Sequence, residues 1–136
     1  MPVNGEIRPN VVAVTAELMA AARIDTVLRA CGCPVICVEP EPEAVRAATL
    51  PGATAVLVLD LAVEPGLREA AFAAARAAGA KVIAFGPHVD LQALEAARRR
   101  GADVLTRGAI GQGLAPLVAK YLARWASPDM TTDPGS

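Results

Sequence analysis

Thr54-Ala-Val-Leu-Val-Leu-Asp-Leu-Ala-Val-Glu-Pro-Gly66 is the stretch on which the fold turns. Its run from Ala55 to Leu59 is apolar without alternation, which predicts a strand buried on both faces and therefore central in a parallel sheet. The run closes on a single carboxylate, Asp60. Pro65 and Gly66 then open an Ala-rich segment to Ala78 that reads as a helix, because proline is tolerated in a first helical turn. Gly79 ends that helix, and a new apolar run, Lys81 to Phe85, follows it. A strand, a helix and a further strand make a βαβ unit.

The same unit recurs outward from this centre. Upstream, Asn10 to Thr15 is a short β-branched run, and Glu17 to Cys31 carries Leu18, Ala21, Ala22, Ile24, Val27, Leu28 and Cys31 at helical spacing before the stop at Gly32. Pro34 to Val38 is a further strand, with Cys33, Val35 and Cys37 expected on one face and Ile36 and Val38 on the other. A short helix from about Pro42 to Thr49 leads back to Thr54. Downstream, Gly86-Pro-His-Val-Asp90 is a loop, Asp90 is a candidate N-cap, and Leu91 to Arg100 is a helix with Leu91, Leu94 and Ala97 as its stripe. Val104 to Thr106 is a fifth strand and Arg107 to Gly113 a glycine-rich loop expected to be flexible. Leu114 to about Ala126 is the last helix, packing through Leu117, Val118, Tyr121, Leu122 and Trp125. Residues 1–9 and 127–136, rich in proline and glycine and without periodicity, read as a flexible lead-in and tail around one domain spanning 10–126.

Composition narrows the class. The chain has 136 residues, 54% of them hydrophobic but only 3% aromatic, which suits one domain with an aliphatic core. Its 13 basic and 14 acidic residues give a net charge of -1, so the total offers no electrostatic footprint for nucleic acid or an anionic membrane. No apolar run is long enough to span a bilayer and the N-terminus does not read as a signal peptide, so the expected location is cytoplasmic. Cys31, Cys33 and Cys37 stand in a C-x-C-x₃-C spacing that matches no common zinc site, and are expected as free thiols filling the core.

Five strands alternating with five helices predict an α/β fold: a single doubly wound, five-stranded parallel sheet of the flavodoxin-like kind. Chemistry in such sheets lies beyond the carboxyl ends of the strands. The residues there are Thr15, Ala16 and Glu17, then Asp60, then Gly86 to Asp90, then Thr106 to Gly108.

From Asn10 to Arg124 the order and length of the elements, with one aspartate closing the third strand, resemble the receiver domain of two-component response regulators. The resemblance implies that Asp60 occupies the phosphoacceptor position. It also implies an acidic pair after strand one to hold Mg²⁺, a hydroxyl after strand four, and a lysine after strand five for the phosphoryl oxygens. A hard cation needs carboxylate oxygens, and the developing phosphoryl charge needs fixed donors and positive charge. Here the acidic pair aligns with Thr15 and Ala16, leaving only Glu17 one place later. The hydroxyl position is Gly86, the lysine position is Arg107, and the proline after that lysine is Gly108.

These departures point to a degenerate receiver, or pseudo-receiver. The expectation is a non-catalytic signalling module, without metal or cofactor, in which Asp60 pairs with Arg107 and Thr15, Glu17 and Gly86 are remnants of a pocket. Its partners are expected to be proteins. One is a second copy bound through helix four, strand five and helix five, with Tyr121 and Trp125 as the candidate face. Pro87, His88 and Asp90 form a candidate partner or ligand loop. Two other readings stand beside this one: a genuine phospho-accepting receiver using Asp60, and a flavodoxin-like domain binding a nucleotide or small molecule through its glycine-rich loops. A hydrolase is excluded, because the sequence has no Ser-His-Asp or G-x-S-x-G pattern and no paired carboxylates.

Overall fold

The computed structural model describes residues 10–126 of the chain. The proposed lead-in and tail, 1–9 and 127–136, lie outside the described residues. Five strands, β1 Asn10–Val14, β2 Val35–Val38, β3 Thr54–Asp60, β4 Lys81–Gly86 and β5 Asp103–Thr106, form one parallel sheet in the order β2-β1-β3-β4-β5. Five helices return between and after them: α1 Leu18–Ala30, α2 Pro42–Ala48, α3 Pro65–Ala78, α4 Leu91–Arg99 and α5 Ile110–Ala126.

β3 is the middle strand and every one of its residues is buried. Its alternate side chains feed two cores. Val56 and Val58 join Ile24, Leu28, Ile110, Leu114 and Val118 from α1 and α5. Leu57 and Leu59 join Val45, Leu67, Phe72 and Leu94 from α2, α3 and α4 on the other face. A strand covered on both sides needs apolar residues at consecutive positions, which is why the Val-Leu-Val-Leu run could not alternate.

Register fixes the place of Asp60. It is the last residue of β3 and lies opposite Phe85 of β4, and pairing continues one step further as the Leu61 amide donates to the Phe85 carbonyl at 2.9 Å. The strand therefore extends through Asp60 instead of ending before it, and its carboxylate is anchored to the sheet.

Four sequence expectations need correction. The segment from Arg107 to Gly113 is not a flexible loop: a 3₁₀ turn, Arg107–Ala109, leads directly into α5 at Ile110. Pro116 lies inside this helix. Gly113 serves packing, since a Cβ there would come within 2.9 Å of Leu105 Cδ2 on β5. Gly111 has no such neighbour within 4 Å. Gly111→Ala is therefore expected to stabilise the domain by about 0.5 kcal/mol in urea denaturation, whereas at Gly113 the helical gain is offset by overpacking.

The remaining corrections concern exposure. Cys33 is buried, but Cys31 and Cys37 are exposed, Cys31 as the residue that caps the end of α1 and Cys37 on β2, an edge strand with one unpaired side. Core filling thus holds for Cys33 alone. Leu18 and Leu91, each assigned to the buried stripe of its helix, are 83% and 71% exposed. Both are the first residue of a helix, where the backbone has only just turned onto the sheet.

Candidate functional site

The carboxyl ends of β1, β3 and β5 bring Thr15, Asp60 and Arg107 together. Asp60 is only 2% exposed. One of its oxygens, Oδ2, accepts from the Thr15 hydroxyl at 2.6 Å. The other, Oδ1, accepts from the Ala62 amide at 2.9 Å and from Arg107 Nη2 at 3.0 Å. A buried carboxylate must be paired and hydrogen-bonded, and this one has three donors, one of them a cation.

Arg107 does more than neutralise Asp60. Its other terminal nitrogen, Nη1, donates to Glu17 Oε1 at 2.8 Å, so one guanidinium bridges the carboxylates that follow β1 and β3. Its charged centre lies 5.1 Å from the centroid of the Phe85 ring. The planar fork of arginine can hold two acceptors at once, which a lysine at this place could not do with the same geometry. Thr15 also accepts from the Glu17 amide at 3.1 Å, which fixes the entry to α1.

Beside this network lies a cleft of about 350 Å³ lined by Ala16, Glu17, Asp60, Ala62, Val63 and Arg107. A divalent cation does not fit the donor set. Ala16 offers no side-chain oxygen, Glu17 turns to Arg107, and both Asp60 oxygens already accept from protein donors. Among the described residues, no group of three His, Cys, Asp or Glu side chains is placed to hold a metal ion.

The other named positions contribute less to this pocket. Gly86 is buried and brings no side chain; a Cβ there would meet Leu61 and Leu94 at 3.5 and 3.6 Å, ordinary contact distances. Pro87 and His88 are exposed on the following loop. Asp90 is a cap, as its neighbours in sequence indicate: its Oδ1 accepts from the Ala93 amide at 3.2 Å.

Tyr121 and Trp125 are far from Asp60, at the amino-terminal edge of the sheet. Tyr121 is 9% exposed and belongs to the α1–α5 core, with Trp125 half-buried against the same core. The Tyr121 hydroxyl donates to Asp103 at the start of β5. Nothing in the sequence pattern joined these two, since they lie 18 residues apart on different elements. Burial, then the hydrogen bond to Asp103 and its charge, push the phenol up to about 12. This is the chain's one tyrosine, so its titration can be read directly. Its ultraviolet titration is expected near pH 12, not 10. Because the folded value is raised, Tyr121 contributes stability that is complete below pH about 10 and is lost as pH rises through 12. Tyr121→Phe should abolish that alkaline component.

A five-stranded parallel sheet in this order, flanked by five helices and closed by an aspartate on its central strand, is the fold of a CheY-like response-regulator receiver domain. The chain has that fold. It is similar to a CheY-like protein, tadZ, from Pseudomonas aeruginosa, at 28% identity over 83% of this chain and 98% of that one, with a TM-score of 0.66. A CheY-like receiver domain protein from Methanospirillum hungatei matches with a TM-score of 0.71 at 13% identity, over 90% of this chain and 99% of that one. A de novo designed Rossmann 2x3 protein also superimposes, with a TM-score of 0.66 at 9% identity over 82% and 90% of the two chains. Since a designed scaffold fits as well as tadZ does by that score, the backbone alone carries no chemistry. No family model and no curated protein matches the sequence.

Proposed function

We propose that this domain is a pseudo-receiver: a signalling module of receiver fold that works through protein contacts and is not phosphorylated by the Mg²⁺-dependent route. One observation carries the reading. Arg107 bridges Asp60 and Glu17 while the Thr15 hydroxyl and the Ala62 amide also donate to Asp60, so each Asp60 oxygen already accepts from the protein and a cation or incoming phosphoryl group would have to displace the guanidinium. On this reading the domain acts as a signalling module and we assign it no enzymatic activity. The free cysteines agree with a reducing, cytoplasmic setting.

The partner is a protein, but the symmetric face built from α4, β5 and α5 is a poor candidate for a two-fold dimer. Tyr121 is spent in the core, and the exposed side chains of α4 and α5 that make no ion pair among the described residues include Arg99, Lys120 and Arg124. A two-fold axis there would place like charges opposite one another.

The test is a titration of the ¹⁵N-labelled domain with Mg²⁺, without and then with beryllofluoride. The amides of Ala62, Arg107 and Gly108 are expected to stay in place. Saturable shifts confined to those amides would show a working acceptor site and overturn the proposal.

A further inference from the structure

The net charge of -1 hides a separation of charge along the strand direction. All strands run one way and every helix returns the other way, so helix C-termini and strand N-termini share the amino edge of the sheet. Each of the five helices has arginine in its last turn: Arg29, Arg46, Arg76, Arg98 with Arg99, and Arg124. Lys81 begins β4 at the same edge. At the opposite edge, Glu39, Glu41 and Glu43 lie between β2 and the first turn of α2, and Glu64 precedes α3. Helix dipoles favour each placement singly. Their common direction adds them into two oppositely charged ends.

Internal ion pairs consume only part of this charge. Arg29, Arg98 and Arg100 pair with Asp25, Glu95 and Glu69. Among the described residues, Arg46, Arg76, Lys81, Arg99, Lys120 and Arg124 make no ion pair, nor do Glu39, Glu41, Glu43 and Glu64. Lys81, Lys120 and Arg124 also converge, at 5.6, 5.0 and 5.7 Å from the Tyr121 ring centroid. The carboxylate facing them, Asp103, is engaged by the Tyr121 hydroxyl.

We propose that copies of this chain associate head to tail, the acidic corner of one (Glu39, Glu41, Glu43, Glu64) seating on the basic corner of the next (Lys81, Lys120, Arg124). The occupant is a second copy because the chain itself carries both complementary surfaces, at opposite ends, while its total charge is nearly balanced. A contact between different surfaces does not close on itself as a two-fold dimer does, so it repeats. Exposed pairs are individually weak and screened, which makes the assembly reversible and salt-dependent. This inference is independent of the state of Asp60.

Sedimentation velocity tests it. At about 10 mM salt the weight-average sedimentation coefficient should rise continuously with concentration, and at about 0.5 M salt, where screening is short-ranged, it should fall to the monomer value. The variants Lys81→Glu/Lys120→Glu/Arg124→Glu and Glu39→Lys/Glu41→Lys/Glu43→Lys should each be monomeric at low salt, and an equimolar mixture should regain association. A wild-type chain that stays monomeric at low salt overturns the proposal, including the case in which it instead binds a 20-base-pair DNA duplex. So does association that is insensitive to salt, or a mixture that remains monomeric although both variants give the wild-type circular dichroism spectrum.

Discussion

Arg107→Ala is expected to lower stability by about 3 kcal/mol in urea denaturation. The substitution leaves Asp60, 2% exposed, with only the Thr15 hydroxyl and the Ala62 amide as donors. Removing one partner of a buried pair costs more than the pair contributes, because the surviving charge stays desolvated. The lower end of the usual range applies, since the Arg107 side chain is 31% exposed and water screens part of the interaction. Arg107→Lys should recover only part of the loss: a single ammonium restores charge but cannot hold Asp60 and Glu17 with two parallel donors. A loss in Arg107→Ala below about 0.5 kcal/mol, the range of ordinary surface substitutions, would mean that the bridge is not structural.

Leu57→Ala should have an effect of similar or greater size, about 3 to 4 kcal/mol, measured in the same way. Leu57 is fully buried at the middle of β3, packed in the core shared with α2, α3 and α4. A cavity there lies between sheet and helices, where neither layer can collapse to fill it. Leu18→Ala provides the contrast. It removes the same group from a site that is 83% exposed, and should change stability by less than about 0.5 kcal/mol.

That contrast also shows what the sequence could tell. The order of elements and the central place of β3 were legible because a strand buried on both faces leaves an unbroken apolar run, as Ala55 to Leu59 does. Asp60 and its pairing with Arg107 were legible because both lie at carboxyl ends of strands in a fold whose sites gather there. The N-cap at Asp90 was legible for a local reason: a side chain that binds an amide three residues on.

What was not legible depended on neighbours distant in sequence. Leu18 and Leu91 fit the spacing of a buried stripe, but whether a first-turn residue reaches the core depends on the angle at which its helix leaves the sheet. Three glycines within Gly108 to Gly113 suggested a loop, because glycine disfavours helix when nothing else is known. The close approach of Leu105 to Gly113, which makes glycine fitting there, is visible only once β5 lies against α5. The exposure of Cys37 likewise depends on β2 being an edge strand, a property of sheet order.

The central claim is that Asp60 is a paired, structural carboxylate and not a phosphoacceptor. Its most direct test is intact mass measured after incubation of the protein with Mg²⁺ and acetyl phosphate. The mass is expected to be unchanged at every concentration of phosphodonor, and identical in behaviour to that of Asp60→Asn. A saturable gain of one phosphoryl group in the wild-type protein, absent from Asp60→Asn, would contradict the account.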